Sequence, residues 1–280
     1  MAAYACRIFP IPNEYTRDDV LRGVRSEQEL PVDDRNVVTG RVAALWSLDA
    51  QQVIKLIWGT AAQDNDQLRL VDPERIQTTE LVYVQTQPGW TLTGSLFRNR
   101  ISNIGRRIQE VDRQTGAYRS IVDNSGEWVT NGLELIGALH PLPELHLSAS
   151  LTWQQTEDRE SDIDVGYSPE LLAKLKASWV SGPMTYATYA HYVDAMDADW
   201  DFVAGAEQGV VRRIGERVPA YWNIGLNLRW DPAGPGPYAN LNVSNLLDEE
   251  IRYPANELTD FRRGLIAPGR VVMGTVGWTF

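Results

Sequence analysis

Three groups of residues in this chain have the types and spacing to do chemistry. His146 and Ser148 lie two apart, so on a strand they share one face, where an imidazole can deprotonate a serine hydroxyl and make it a nucleophile. Such a pair also needs a polar group to orient the ring and an oxyanion site. Asp197, Asp199 and Asp201 supply the first three positions of a calcium loop, but Phe202 stands where the turn needs glycine and Gln208 where a bidentate glutamate belongs. The third group mixes cations with aromatics: Arg106, Arg107, Trp200, Phe202, Arg212, Arg213, Arg252, Tyr253, Arg262 and Arg263. Guanidinium and aromatic faces together capture anionic or aromatic solutes by charge and stacking. The same mix also serves plain solubility. Ligand binding is therefore assigned to the third group, with no catalytic residue, metal site or cofactor expected.

The elements that must position these residues show a period of two. Val272, Gly274, Val276, Trp278 and Phe280 share one face of the last segment, and the chain stops on the aromatic ring. Leu145, Leu147, Ala149, Leu151 and Trp153 oppose His146, Ser148, Ser150, Thr152 and Gln154. Leu171, Ala173, Leu175, Ala177 and Trp179 oppose Lys174, Lys176 and Ser178, while Trp222, Ile224, Leu226, Leu228 and Trp230 oppose Asn223, Gly225, Asn227 and Arg229. Each apolar row ends on or near a tryptophan, the amphipathic ring that settles where hydrocarbon meets headgroups. This is the pattern of a transmembrane β-barrel, one row toward lipid and one toward a polar lumen. Glu80, Glu134, Lys174, Lys176 and Arg229 fall on the lumen side, where water makes such charges inexpensive.

Composition agrees. No stretch of the 280 residues approaches the roughly 18 apolar residues of a membrane helix. A mean hydropathy of -0.31 suits a strand that devotes half its residues to lipid. The net charge of -11 argues against a nucleic-acid partner, whose phosphates would repel the chain. The single Cys6 permits no internal disulfide. Residues 1–9 lack the basic region and sustained apolar run of a secretory signal, so the chain reads as a processed product, a truncated reading frame or a fragment.

Alternation and turn residues predict about eleven strands, at 38–48, 51–61, 76–86, 90–102, 127–139, 145–156, 170–180, 184–194, 219–230, 238–246 and 270–280. Their connections alternate short and long. Tight turns at 48–50, 87–89, 140–144, 181–183 and 231–237 interleave with long segments at 62–75, 103–126, 157–169, 195–218 and 247–269, as periplasmic turns alternate with external loops. Residues 1–36 are predicted to be an irregular segment in an external loop, and 37–280 the barrel part. A soluble all-β sandwich would more often distribute its loop lengths without this order.

Several spaced motifs resemble the TonB-dependent outer-membrane receptors. Asn242, Val243, Ser244, Asn245, Leu246, Leu247, Asp248 and Glu249 are similar to that family's penultimate-strand signature, with Leu247 where phenylalanine is usual. Pro268, Gly269 and Arg270 open the last strand and Phe280 closes it. Asp72, Pro73, Glu74, Thr79, Glu80 and Leu81 resemble an upstream strand of the family, with Val82 in place of glycine, and Thr130, Asn131, Gly132, Leu133 and Glu134 resemble another. The resemblance covers the carboxyl-terminal half of a barrel of about 22 strands, with no plug or TonB-contacting box readable. It implies a bacterial outer-membrane location and TonB-dependent uptake of a scarce nutrient, most often a ferric siderophore or similar chelate. The implied partners are outer-membrane lipid and lipopolysaccharide, the missing amino-terminal barrel half and plug, the TonB complex, and the barrel-assembly machinery, which reads Trp278 and Phe280. The alternatives are a small passive porin or an autotransporter-like barrel. His146 and Ser148 also bear a spacing similar to that of the outer-membrane phospholipases, but beside a turn and facing the lumen, away from lipid.

Overall fold

The computed structural model describes residues 13–14, 38–63, 72–111, 118–159, 163–201, 212–232, 234–255 and 261–280. Their regular structure is all strand, joined as one antiparallel meander. In chain order the strands are β1 (Arg41–Ser47), β2 (Gln52–Gln63), β3 (Glu74–Gln87), β4 (Trp90–Val111), β5 (Tyr118–Leu142), β6 (Leu145–Asp158), β7 (Leu171–Ser181), β8 (Met184–Val193), β9 (Tyr221–Trp230), β10 (Gly236–Ser244) and β11 (Val271–Thr279). Each pairs with its sequence neighbours, and Ile163–Asp164 adds a short ladder to the end of β6. Among the described residues β1 and β11 each pair on one side only, so the sheet is open at both edges.

The register puts the two predicted rows on opposite faces through the whole sheet. Leu175 lies opposite Ala149 on β6 and Ala190 on β8, while Lys176 lies opposite Ser148 and Tyr189. Leu226 pairs with Val243 and Asn227 with Asn242. The outward row stays open, with Leu175 50% exposed and Val276 84%. Burial against soluble protein does not account for it, whereas a lipid face does.

Turn chemistry fixes the short connections. Asp49 Oδ1 accepts the Gln51 amide at 2.8 Å between β1 and β2. Gly89 and Gly182 take positive φ, 88° and 57°, in the β3–β4 and β7–β8 hairpins, where a side chain would be strained.

One expectation is corrected. Residues 103–126 do not form an open loop between strands ending at 102 and starting at 127. The β4–β5 ladder continues to Val111 opposite Tyr118, across register shifts near Ile101, Ile104 and Arg106. The outer part of this hairpin is held by backbone pairing, and a sequence such as Arg106-Arg107-Ile108-Gln109-Glu110 has no apolar row to announce it. Of the segment 1–36, Asn13–Glu14 pairs with Val38–Thr39 and the rest lies outside the described residues.

On the concave face three glycines sit directly across from aromatic residues: Gly132 opposite Phe97, Gly225 opposite Tyr189 and Gly277 opposite Tyr238. In each case a Cβ on the glycine would collide with the facing ring. The rings therefore lie flat over bare backbone, which lets bulky side chains line the wall without filling the space above it.

Candidate functional site

Three long connections fold together at one end of the sheet. Met196, Ala198, Val218, Ile251, Pro254 and Ala255 are buried there and give the loops an apolar centre. Backbone bonds sew them together: Met196 and Val218 exchange amide bonds at 3.1 and 2.9 Å, the Asp199 amide donates to Ala255 O at 3.1 Å, and the Glu216 amide donates to Arg262 O at 2.7 Å. The Tyr167 amide donates to Asp197 O at 2.9 Å and brings in the segment after β6.

This scaffold brings Trp200 and Arg213 together. The Arg213 guanidinium lies 3.9 Å over the Trp200 ring, donates from Nη1 to Ala198 O at 2.7 Å, and pairs through Nη2 with Asp164. The Trp200 indole donates to Asp164 O at 2.8 Å. Sequence reasoning missed Asp164, because nothing in the spacing of 164, 200 and 213 links them before the loops meet. Arg252 pairs with Glu250 at 2.7 Å and donates to Arg263 O at 3.1 Å, while Arg263 approaches Glu216 at 3.9 Å. Arg213 and Arg252 thus have their charge answered within the loops. Arg212 and Arg262 are exposed and form no ion pair among the described residues, and Tyr253, next to Arg252 in sequence, is exposed as well. Arg106 and Arg107 place their backbones opposite Asp123 and Val122 on the β4–β5 hairpin, their side chains being outside the described part of the structure. Phe202 lies outside the described residues altogether.

Of the three aspartates, the side chains of Asp197 and Asp199 are each engaged elsewhere, and that of Asp201 lies outside the described part of the structure. Asp197 Oδ2 accepts Arg217 Nη1 at 3.1 Å, and Asp199 Oδ1 turns back to accept the Trp200 amide at 2.9 Å. Among the described residues no three metal-ligating side chains gather.

The run after β10 is a built corner. Asn245, buried and at φ 48°, clamps Glu249 in both directions, donating to its carbonyl at 2.8 Å and accepting its amide at 2.9 Å. Asp248, at φ 57°, accepts the Arg270 amide at 2.7 Å. Asparagine and aspartate tolerate this left-handed backbone best among non-glycine residues. The Asn-to-Asp signature read in the sequence therefore ties the start of the last loop to the start of β11.

His146 and Ser148 share the concave face near the β5–β6 turn, as their spacing requires. The His146 ring meets His140 edge-on, centroids 4.7 Å apart. The cavity that both residues line, of about 530 Å³, has no carboxylate in its wall to orient an imidazole for catalysis.

An outward apolar face, a polar concave face and two-beat connections define a wall segment of an outer-membrane β-barrel. The sequence model of the family described as "TonB dependent receptor-like, beta-barrel" matches residues 14–246, and the chain belongs to the TonB-dependent receptor family. Its sheet is similar to that of Fiu, the ferric-catecholate import receptor of Escherichia coli K12, with a TM-score of 0.66, 18% identity, and 91% of this chain and 37% of that one covered. It is also similar to the ferric enterobactin receptor PfeA of Pseudomonas aeruginosa, at a TM-score of 0.71, 14% identity, and 86% and 40% coverage. The copper transporter OprC gives a TM-score of 0.69, 14% identity, and 88% and 40% coverage. The chain thus spans less than half the length of these structures. No curated protein sequence matches it significantly. The family consists of receptors and transporters rather than enzymes.

Proposed function

We propose that this chain forms the carboxyl-terminal wall and outer loops of a receptor that imports a ferric siderophore or similar anionic chelate, in partnership with an amino-terminal barrel half, a plug and the TonB complex. The observation that carries this reading is the packed loop cap, which leaves Arg212, Arg262 and Tyr253 exposed above a polar wall. Preorganised loops give up less conformational entropy on binding than free ones. Fiu, a ferric-catecholate import receptor, and PfeA, a ferric enterobactin receptor, are both similar in fold, which favours a ferric-chelate cargo. The family match and the open sheet favour a receptor segment over a passive small barrel. Lipid and lipopolysaccharide contact the outward face in this reading, and the barrel-assembly machinery engages Trp278 and Phe280, which are 59% exposed and fully exposed on the outer row.

The test is binding of a ferric catecholate to outer membranes carrying the receptor, read by quenching of protein fluorescence. Replacing both Arg212 and Arg262 by Ala is expected to weaken binding by tenfold or more. Unchanged affinity in the double variant removes these loops from the ligand site.

A further inference from the structure

We infer that the outward face of β3 and β4, at its loop end, holds a site for a phosphate group of an outer-leaflet glycolipid, gripped by Arg75 and Arg100. The register lays out the outward side chains in successive rows. Leu56, Leu81, Leu96, Leu133 and Trp153 form one row across β2 to β6. One step toward the long connections come Trp58, Thr79, Arg98, Asn131 and Gln155, and one step further Thr60, Gln77, Arg100, Val129 and Glu157. Leucine thus gives way within a single row to tryptophan and polar side chains, which is the level where hydrocarbon meets headgroups.

Cations on this face are confined to that level. In the ladders from β1 to β11, leaving aside the β4–β5 pairing beyond Ile101, the outward cations are Arg75, Arg98 and Arg100, all on two adjacent strands. In a chain of net charge -11 such a cluster attracts an anionic group. The outward acids nearby are answered already, Glu127 by Arg100 at 2.6 Å and Glu157 by Arg159 at 3.4 Å.

The cluster has a built cavity. Gln77 pairs with Arg100 and Arg75 with Ser102, so Arg75 and Arg100 are diagonal neighbours across the ladder, about 7–8 Å apart. Two guanidinium forks at that spacing can close on one phosphate. With Thr60, Gln77 and Ser102 they line a cavity of about 290 Å³, which Val38 bounds from the strap before β1. The Gly40 amide donates to Thr60 Oγ1 at 3.1 Å and the Thr60 amide to Gly40 O at 2.8 Å, which ties that strap to β2. Arg75 is exposed and forms no ion pair among the described residues. Arg100 gives one edge of its fork to Glu127 and keeps further N–H donors.

Both arginines stand inside the sheet, with β1 and β2 between them and the open edge, so an added barrel half can pair with β1 without covering them. A plug belongs to the opposite, concave side. The leucine row directly below would hold the acyl chains of the same molecule, which favours a lipid phosphate over a soluble one.

The site rests on the outward face meeting lipid, and failure of that reading shows separately, as equal losses in Leu226→Arg and Asn227→Arg. The test uses the full chain in detergent micelles, under conditions where β3 and β4 amides resist hydrogen exchange. The probes are lipopolysaccharide, lipopolysaccharide stripped of its phosphates, and inorganic phosphate. Saturable binding of the phosphorylated lipid is expected, weakened tenfold or more by Arg75→Gln and by Arg100→Gln and unchanged by Lys55→Gln, a concave-face lysine on β2. Glu127→Gln, which frees Arg100, should hold or tighten binding. Binding that ignores the phosphates, survives Arg75→Gln, or is absent from the exchange-protected chain overturns the site. Inorganic phosphate bound as tightly as the lipid overturns the lipid assignment, and Glu127→Gln weakening binding as much as Arg100→Gln overturns the part given to Arg100.

Discussion

Tyr189 on β8 lies directly opposite Gly225 on β9, and its ring occupies the space that a side chain at 225 would need. The pair sets the shape of the concave wall, because a ring laid flat over backbone adds apolar contact without projecting into the lumen.

Gly225→Val is expected to destabilise the sheet by about 1–3 kcal/mol, since the added carbons must displace the Tyr189 ring from the backbone it covers. Gly274→Ala should be nearly neutral, as a Cβ there meets nothing within 4 Å. Denaturant titration in lipid vesicles compares the two. Equal midpoints would mean that the ring moves freely.

The two faces should respond oppositely to charge. Leu226→Arg introduces a cation on the lipid row and should cost roughly 2–4 kcal/mol near the midplane. The neighbouring Asn227→Arg faces the lumen and should cost much less. Refolding titrations into bilayers give both values, and matching losses would reverse or abolish the face assignment.

Topology is checked with single cysteines in intact cells, the native Cys6 being replaced by Ser. Cysteines at Arg212 and Phe261, both in long connections, should react with an impermeant thiol reagent, and one at Gly234, in a short turn, should not. Labelling at Gly234 comparable with the other two places both kinds of connection on the same side.

Trp200 and Arg213 should matter to loop order rather than to barrel stability. A partly exposed cation–π contact contributes about 0.5–1 kcal/mol, and the exposed Asp164 partner adds little once screened by solvent. Arg213→Ala is expected to speed hydrogen exchange at Met196 and Val218, whose paired amides close the same loop, while β8 and β9 stay protected. Protection unchanged at both loop amides would show that Arg213 does not hold the cap.

Much of the fold was legible in the residues. The apolar rows of β6, β7, β9 and β11 have a strict period of two and fixed both strand position and face. The outer part of the β4–β5 hairpin was not legible, because residues 106–111 and 118–123 show no alternation of apolar and polar types. The cap was only half legible: Trp200 and Arg213 could be named as aromatic and cation, but their union depends on Asp164, 36 and 49 residues away. The cavity that His146 and Ser148 line depends on which strands become neighbours. Lys176 and Asn227 read as separate wall residues until the register placed β7, β8 and β9 side by side.

β4 and β5, at 22 and 25 residues, are at least twice as long as the roughly 9–11 residues that a bilayer crossing needs. At about 3.3 Å per residue the surplus makes a mast some 40 Å tall. Beyond the crossing the two strands stay paired as a ribbon, from Ile104 opposite Gly126 to Val111 opposite Tyr118. A ladder made of main-chain bonds does not depend on an apolar row, so this ribbon is free of the period-two constraint that the lipid face imposes on the wall below.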